Sequence, residues 1–228
     1  MERAVVLLSG GVDSSTLLHH IRQTLGVQNV YAVSFTYGQK HVREIDMARR
    51  QAEAAGVADH HVIDIASFAG VAEGGSALTD ASIHIPDLVD IAEEDREQPP
   101  TYVPNRNMTF LALAAAYAEA RGITDIFYGA QAQDEYGYWD CTTDFLEKIN
   151  HVFALNRGEA ITIHAPFVDL RKAAIVKMGL ALGVDYAMTW TCYRGGDTPC
   201  GGCPSCVERA GAFREAGAED SGGSAAAP

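Results

Sequence analysis

The chain reads as an α/β protein: a Rossmann-like parallel sheet with helices on both faces, followed by a small zinc-binding region near the C-terminus. Three observations lead there. Short apolar runs alternate with amphipathic helical stretches, the pattern of a sheet covered on both sides. A glycine turn with flanking hydroxyls follows the first apolar run directly. Four of the five cysteines fall between positions 192 and 206. The expected organisation is an α/β domain over residues 1–186, a four-cysteine region over 187–216 and a disordered tail over 217–228.

The first strand is Arg3–Leu8, apolar from Ala4 onward. A helix opens at Asp13 or Ser14, faces the core with Leu17, Leu18, Ile21 and Leu25, and stops at Gly26. Val30–Phe35 is the second strand. His41–Ala55 is a helix with Val42, Ile45, Ala48, Ala52 and Ala55 on one stripe, closed by Gly56. His61–Ile65 is the third strand. Residues 66–104 break this rhythm with a small, glycine-rich part, an acidic run over Asp87–Glu97 and then Pro99-Pro100. So long a connection predicts a mobile insert or lid.

Regularity returns with Arg106–Arg121, apolar nearly all round and therefore expected to be buried. Asp125–Gly129 is a strand, Thr143–Asn156 a helix and Ile161–His164 a strand. Asp169 is expected to cap a helix over Leu170–Leu182, with Ile175, Val176, Gly179 and Leu182 inward and Gly183 beyond its end.

Composition narrows the function. The chain has 228 residues, enough for one substantial domain with an appendage, and 47% of them are apolar. No run of eighteen apolar residues and no signal-peptide pattern are present, so a cytoplasmic protein without a membrane partner is expected. Asp and Glu number 30 against 17 Lys and Arg, which argues against a nucleic-acid partner.

The turn Ser9-Gly10-Gly11-Val12-Asp13-Ser14-Ser15 carries the chemistry. Its glycines let backbone approach a ligand closely. The helix behind it offers unpaired N–H groups and a positive dipole end, a ready phosphate site. It lacks the lysine of a kinase-type P-loop and the spacing of a dinucleotide site.

The cysteines Cys192, Cys200, Cys203 and Cys206 follow C-x7-C-x2-C-x2-C, a spacing that suits structural zinc and also admits an iron–sulfur cluster. Cys141, apart from them, reads as a small buried residue. At the carboxyl ends of the second and fourth strands, where ligands of open α/β sheets lie, stand Tyr37 and Gln39, and the run from Gly129 to Cys141 with Tyr138 and Asp140. Arg106, near a helix start, is electrostatically awkward unless an anion sits there. Lys172 reads equally as a helix-start lysine or a phosphate contact.

The order S-G-G-x-D-S resembles the pyrophosphate loop of the N-type ATP pyrophosphatases, the PP-loop superfamily. With Tyr37-Gly38-Gln39, Ser76-Ala77-Leu78-Thr79, Val103–Asn107, Gly137–Cys141 and Thr191-Cys192-Tyr193, the chain over residues 2–214 resembles the 7-cyano-7-deazaguanine synthases. That resemblance implies a ligase, working in queuosine and 7-deazapurine biosynthesis. ATP adenylates 7-carboxy-7-deazaguanine, ammonia displaces AMP to give an amide, and a second adenylation leads to the nitrile.

It implies ATP with Mg2+ at Leu8, Ser9, Gly10, Gly11, Val12, Asp13, Ser14, Ser15 and Arg106. It gives catalytic roles to Asp13, Ser14 and Lys172, and deazapurine contacts to Tyr37, Gln39, Tyr138 and Asp140. Structural Zn2+ falls on Cys192, Cys200, Cys203 and Cys206, and the assembly is expected to be a homodimer. The family commonly reads G-Y-P-D-C-R where this chain has Trp139 and Thr142. That departure raises an alternative: a ligase that stops at the amide or couples the activated carboxylate to another amine.

Overall fold

The structure, a computed structural model, describes residues 1–40, 43–72, 74–92, 99–132, 138–156 and 158–222. Five parallel strands form one sheet: β1 (Arg3–Leu7), β2 (Asn29–Thr36), β3 (Asp59–Asp64), β4 (Asp125–Phe127) and β5 (Thr162–His164), in the order β3-β2-β1-β4-β5. The order reverses beside β1, where Val5 pairs with Tyr31 on one side and Ile126 on the other. Loops leaving β1 and β4 therefore diverge to opposite faces and open a crevice at the carboxyl edge.

Both faces are covered because β1 alternates. Val5 points into a cluster with Leu111, Ala114, Phe145 and Ile149 of α4 (Arg106–Glu119) and α5 (Thr143–Phe153). Ala4 and Val6 point the other way, against Leu17 and Ile21 of α1 (Val12–Gln23), Ala48 and Ala52 of α2 (Arg43–Ala55) and Ile175 of α6 (Lys172–Ala181). The two-residue period of a strand makes this division. Two further helices, α3 (Phe68–Val71) and α7 (Pro204–Ala216), complete the described set. Among the described residues no helix is long and apolar enough to cross a membrane.

Several expectations need correction. Leu25 is 45% exposed, because α1 ends at Gln23 before the stripe reaches it. Asp169 does not cap α6. The chain makes two turns first, with Val168 N–H on Ala165 O and Leu170 N–H on Phe167 O, and Arg171 takes the N-cap position. The α4 helix buries one face only, through Leu111, Ala114, Ala115, Tyr117 and Ala118. Val42 of the expected α2 stripe lies outside the described residues.

The insert is not a detached flap. Ser76, Ala77, Leu78, Ile85, Thr101, Tyr102 and Val103 are buried, and Leu88 N–H donates to Gly202 O at 3.0 Å. Most of the acidic run, 93–97, lies outside the described residues. The tail packs as far as Gly222: Gly217 closes α7 with φ +72° and Asp220 pairs with Arg209. Residues 223–228 lie outside the described set. The α7 helix was not foreseen, although Pro204 at its first turn and Gly217 past its end are its start and stop signals.

Candidate functional site

The turn after β1 is held by its own hydroxyls. Ser9 N–H donates to Ser14 Oγ at 3.1 Å, the Ser9 and Ser14 hydroxyls meet at 2.9 Å, and Gly11 N–H donates to Ser9 Oγ at 3.3 Å. Gly10 has φ +81°, and a Cβ there would lie 2.2 Å from Glu44 O and 2.7 Å from Ala48 N. Only glycine lets the turn sit this close to α2. The first intrahelical bond is Ser15 N–H to Gly11 O at 3.1 Å. The N–H groups of Val12, Asp13 and Ser14 precede it and have no acceptor within the helix, the condition for anion binding.

A cleft of about 260 Å3 opens from this turn. Its wall includes Leu8, Ser9, Gly11, Val12, Asp13 and Ser14 of the turn, Lys172 beside Asp13, and Tyr37, Gln39, Arg106, Tyr138 and Tyr193. The fold thus brings most of the expected residues together. Gly10, Ser15 and Asp140 do not line the cleft. Ser15 is fully buried behind the turn, its hydroxyl without a partner. Asp140 is buried and accepts from the backbone N–H of Asn107 at 3.3 Å, bracing the start of α4. Residues 133–137, part of the loop expected to grip a purine-like ring, lie outside the described residues.

Lys172, buried, sits between two carboxylates, Asp13 Oδ2 at 3.1 Å and Glu208 Oε2 at 2.7 Å. Burial raises the Asp13 pKa, Lys172 opposes the rise and Glu208 adds to it. Asp13 Oδ1 is buried with no hydrogen-bond partner. A buried, unpartnered carboxylate oxygen beside a cluster of N–H donors fits a divalent cation carrying phosphate.

Elsewhere on the wall, burial disfavours the Arg106 cation, yet Tyr37, Tyr138 and Tyr193 outweigh it and hold its pKa above the usual value. Arg106 lies 5.9 Å from the Tyr37 ring centre. Burial also raises the Tyr37 pKa. Gln39 accepts from Tyr37 N–H at 2.8 Å and donates to Phe35 O at 3.3 Å, so its amide braces its own turn. Glu44, on the same wall, is pushed up to about 7 by burial, against the pull of Arg106. The Tyr138 hydroxyl meets Thr101 Oγ1 at 3.0 Å.

Sequence reasoning missed Glu44, Tyr193 and Glu208. Tyr193 was within reach, since Thr191-Cys192-Tyr193 was already singled out. Glu208 was not, because its approach depends on α7. Trp139 is not among the residues of the cleft wall: it is 47% exposed, donates from Nε1 to Tyr102 Oη at 2.8 Å and meets Phe145 edge-on. Thr142 caps α5, its Oγ1 accepting from Phe145 N–H at 3.1 Å.

The four cysteines converge. Their sulfur atoms all lie within 4.8 Å of one another, and Cys200 and Cys206 are 4.0 Å apart. Four sulfurs at about 2.3 Å from one tetrahedral zinc would be separated by about 3.8 Å. Cys200 N–H points at Cys192 Sγ and Cys203 N–H at Cys200 Sγ, both at 3.4 Å, which favours thiolates. The donor set could hold a metal ion.

Arg209, one of the few basic residues near the cluster, is buried and forked onto Asp220 at 2.6 and 2.7 Å, so it adds nothing to a basic surface.

Known proteins agree with this geometry. The family described as "Queuosine biosynthesis protein QueC" matches residues 3–217. A "7-cyano-7-deazaguanine synthase" of Trichodesmium erythraeum is 44% identical over 223 residues, covering 96% of this chain and 98% of that protein. One of Clostridium kluyveri is 46% identical over 226 residues, covering 96% of each. Among solved structures, the U34-tRNA thiolase NcsA from Methanococcus maripaludis with its 4Fe-4S cluster superimposes with a TM-score of 0.51 at 12% identity, covering 81% of this chain and 57% of that one. That is a likeness of fold. The phosphate-binding turn, the cysteine cluster and the extent of these matches place the chain in the QueC family of 7-cyano-7-deazaguanine synthases.

Proposed function

We propose that this chain converts 7-carboxy-7-deazaguanine, ammonia and ATP into 7-cyano-7-deazaguanine. The observation that carries the reading is one cleft whose wall holds two sets of groups. The glycine turn with Asp13 and Lys172 is one set, and Arg106 with three tyrosines is the other.

A carboxylate is a poor electrophile, and transfer of AMP to its oxygen supplies a leaving group. The carboxylate oxygen bonds to the α-phosphorus of ATP and pyrophosphate departs. The N–H groups of Val12, Asp13 and Ser14, with the Lys172 ammonium, stabilise the charge that gathers on the phosphate oxygens. Ammonia then forms the C–N bond, AMP leaves with one carboxylate oxygen, and a proton is released. The amide oxygen bonds to the α-phosphorus of a second ATP and pyrophosphate departs; AMP then leaves with that oxygen and two N–H protons are lost, leaving the nitrile. Arg106 and its tyrosines hold the anionic end of the organic acid, and Tyr37 and Tyr138 offer ring faces and hydroxyls to the deazapurine.

Asp13 Oδ1 and the adjacent turn would hold Mg2+, which neutralises the polyphosphate when bound. Cys192, Cys200, Cys203 and Cys206 would hold a structural Zn2+, since four thiolates leave no open position. A cytoplasmic homodimer with small-molecule substrates and no nucleic-acid partner goes with this reading, and light scattering of the purified protein checks the dimer.

The alternative that stops at the amide rested on Trp139 and Thr142. Trp139 lies outside the cleft wall and Thr142 caps a helix, so neither gives grounds for it. The test is mass spectrometry of products from purified protein, Mg-ATP, ammonium and 7-carboxy-7-deazaguanine. Nitrile with AMP is expected. Amide accumulating without nitrile, or no substrate-dependent AMP, would overturn the proposal.

A further inference from the structure

The α7 helix begins inside the cysteine cluster. Cys203 is its N-cap residue, Pro204 its first residue, and Cys206 lies within its first turn. One half-turn beyond Cys206, Glu208 reaches the cleft. Its carboxylate is held at both oxygens: Oε1 accepts from Gln131 Nε2 at 3.0 Å and Oε2 from Lys172 Nζ at 2.7 Å. Gln131 is fully buried beyond the end of β4. Lys172 is thus gripped by two acids from opposite ends of the chain, and the contact to Glu208 is shorter than the 3.1 Å contact to Asp13.

A lysine side chain has four rotatable bonds and no intrinsic direction. The contact to Asp13 reaches one carboxylate oxygen only. A second carboxylate, itself fixed by a buried amide, defines where the charge sits. Simple electrostatics would disfavour another acid near an incoming polyphosphate. Its presence at hydrogen-bond distance from the lysine therefore calls for a role beyond charge balance.

We propose that Glu208 is a positioning residue: anchored by Gln131 and carried on the helix that the cysteine cluster starts, it aims the Lys172 ammonium at the transferring phosphate. This rests on the reading of Lys172 as a phosphate contact. The chemical step is unchanged; Glu208 acts through Lys172.

Glu208→Gln keeps the shape and one accepting oxygen and removes the charge that grips the ammonium. Substrate-dependent AMP release is expected to fall about tenfold or more in kcat while the KM for ATP changes less than about threefold, the mark of an interaction needed in the transition state. Glu208→Asp, with the charge kept but drawn back by one methylene, is expected to lie between. In a Lys172→Gln background, Glu208→Gln is expected to change residual kcat by less than about twofold, because residues acting as a unit are non-additive.

Thermal melting and metal content of each variant separate this from damage to the fold. A loss of kcat that tracks loss of metal or of melting temperature overturns the proposal, as do additive losses in the double variant. If Lys172→Gln is inactive and both Glu208 variants turn over normally, only the positioning role fails. If Lys172→Gln itself turns over normally, the role of Lys172 fails and the positioning role with it.

Discussion

The backbone N–H of Trp190 donates to the carbonyl of Gly10 at 2.9 Å, joining the residue that leads into the cysteine cluster to the first glycine of the phosphate turn. The Trp190 indole N–H continues to Cys192 O at 3.0 Å, and the Arg43 guanidinium lies 4.6 Å from the indole ring centre. The cluster is thus mechanically part of the cleft. It contributes Tyr193 and, through α7, Ser205 and Glu208 to the same wall.

Removing the metal should therefore disturb both regions. Chelation is expected to lower the melting temperature and to weaken ATP binding in the same titration, since a metal held by the four cysteines would contribute its binding energy to folding. Calorimetry with ATP on loaded and stripped protein measures it. Intact melting and ATP affinity after verified metal loss would contradict a structural metal.

Gly10→Ala places a Cβ against the backbone of α2, at Glu44 O and Ala48 N, in a left-handed conformation. Neither neighbour is a flexible side chain that could move aside. A loss of at least about 2 kcal/mol is expected from urea unfolding. Gly56, also at positive φ but with nothing near a built Cβ, is the comparison. Gly56→Ala should cost less, about 1 kcal/mol from backbone strain alone.

Stability should also depend on Glu44. Burial, partly offset by Arg106, pushes its carboxyl up from 4.5 to about 7. Ionisation is then harder in the folded chain than in the unfolded one. Its contribution to stability is complete below 4.5 and is lost as the pH rises through about 7. Glu44→Gln is expected to gain about 1–3 kcal/mol on wild type between pH 4 and pH 8, read by denaturant unfolding at both. A gap that does not change with pH would count against a carboxyl whose ionisation is suppressed in the folded chain.

Thr142 and Trp139, where the chain departs from the family's common residues, should separate stability from turnover. Thr142→Ala removes the cap of α5 and is expected to cost about 1 kcal/mol. Trp139→Ala removes a side chain that is not part of the cleft wall. Both should leave the KM for 7-carboxy-7-deazaguanine within about threefold of wild type. A larger rise for Trp139→Ala would return the indole to the substrate site.

Local chemistry was legible before any coordinates. Gly10 and Gly11 announced the turn, the alternation of apolar runs with amphipathic helical stretches announced a sheet covered on both faces, and the cysteine spacing announced converging sulfurs. Long-range placement was not. Glu208 reads as one more surface acid until α7 packs on α6 and brings it to Lys172. Asp169 has the residue type of a helix cap, but two turns stand between it and α6. Asp220, in a stretch of small residues, gave no sign that the buried Arg209 would hold it. Asp140 had the right chemistry for a ligand, and nothing in the sequence pointed to the bond it accepts from the Asn107 N–H.

The most direct test follows oxygen. With 7-carboxy-7-deazaguanine carrying oxygen-18 in its carboxylate, and with Mg-ATP and ammonium, the label should appear in AMP and not in pyrophosphate, while the nitrile forms free of oxygen. Unlabelled AMP formed alongside product would mean that ATP is cleaved by water and that the carboxylate is never adenylated in the Asp13–Lys172 cleft.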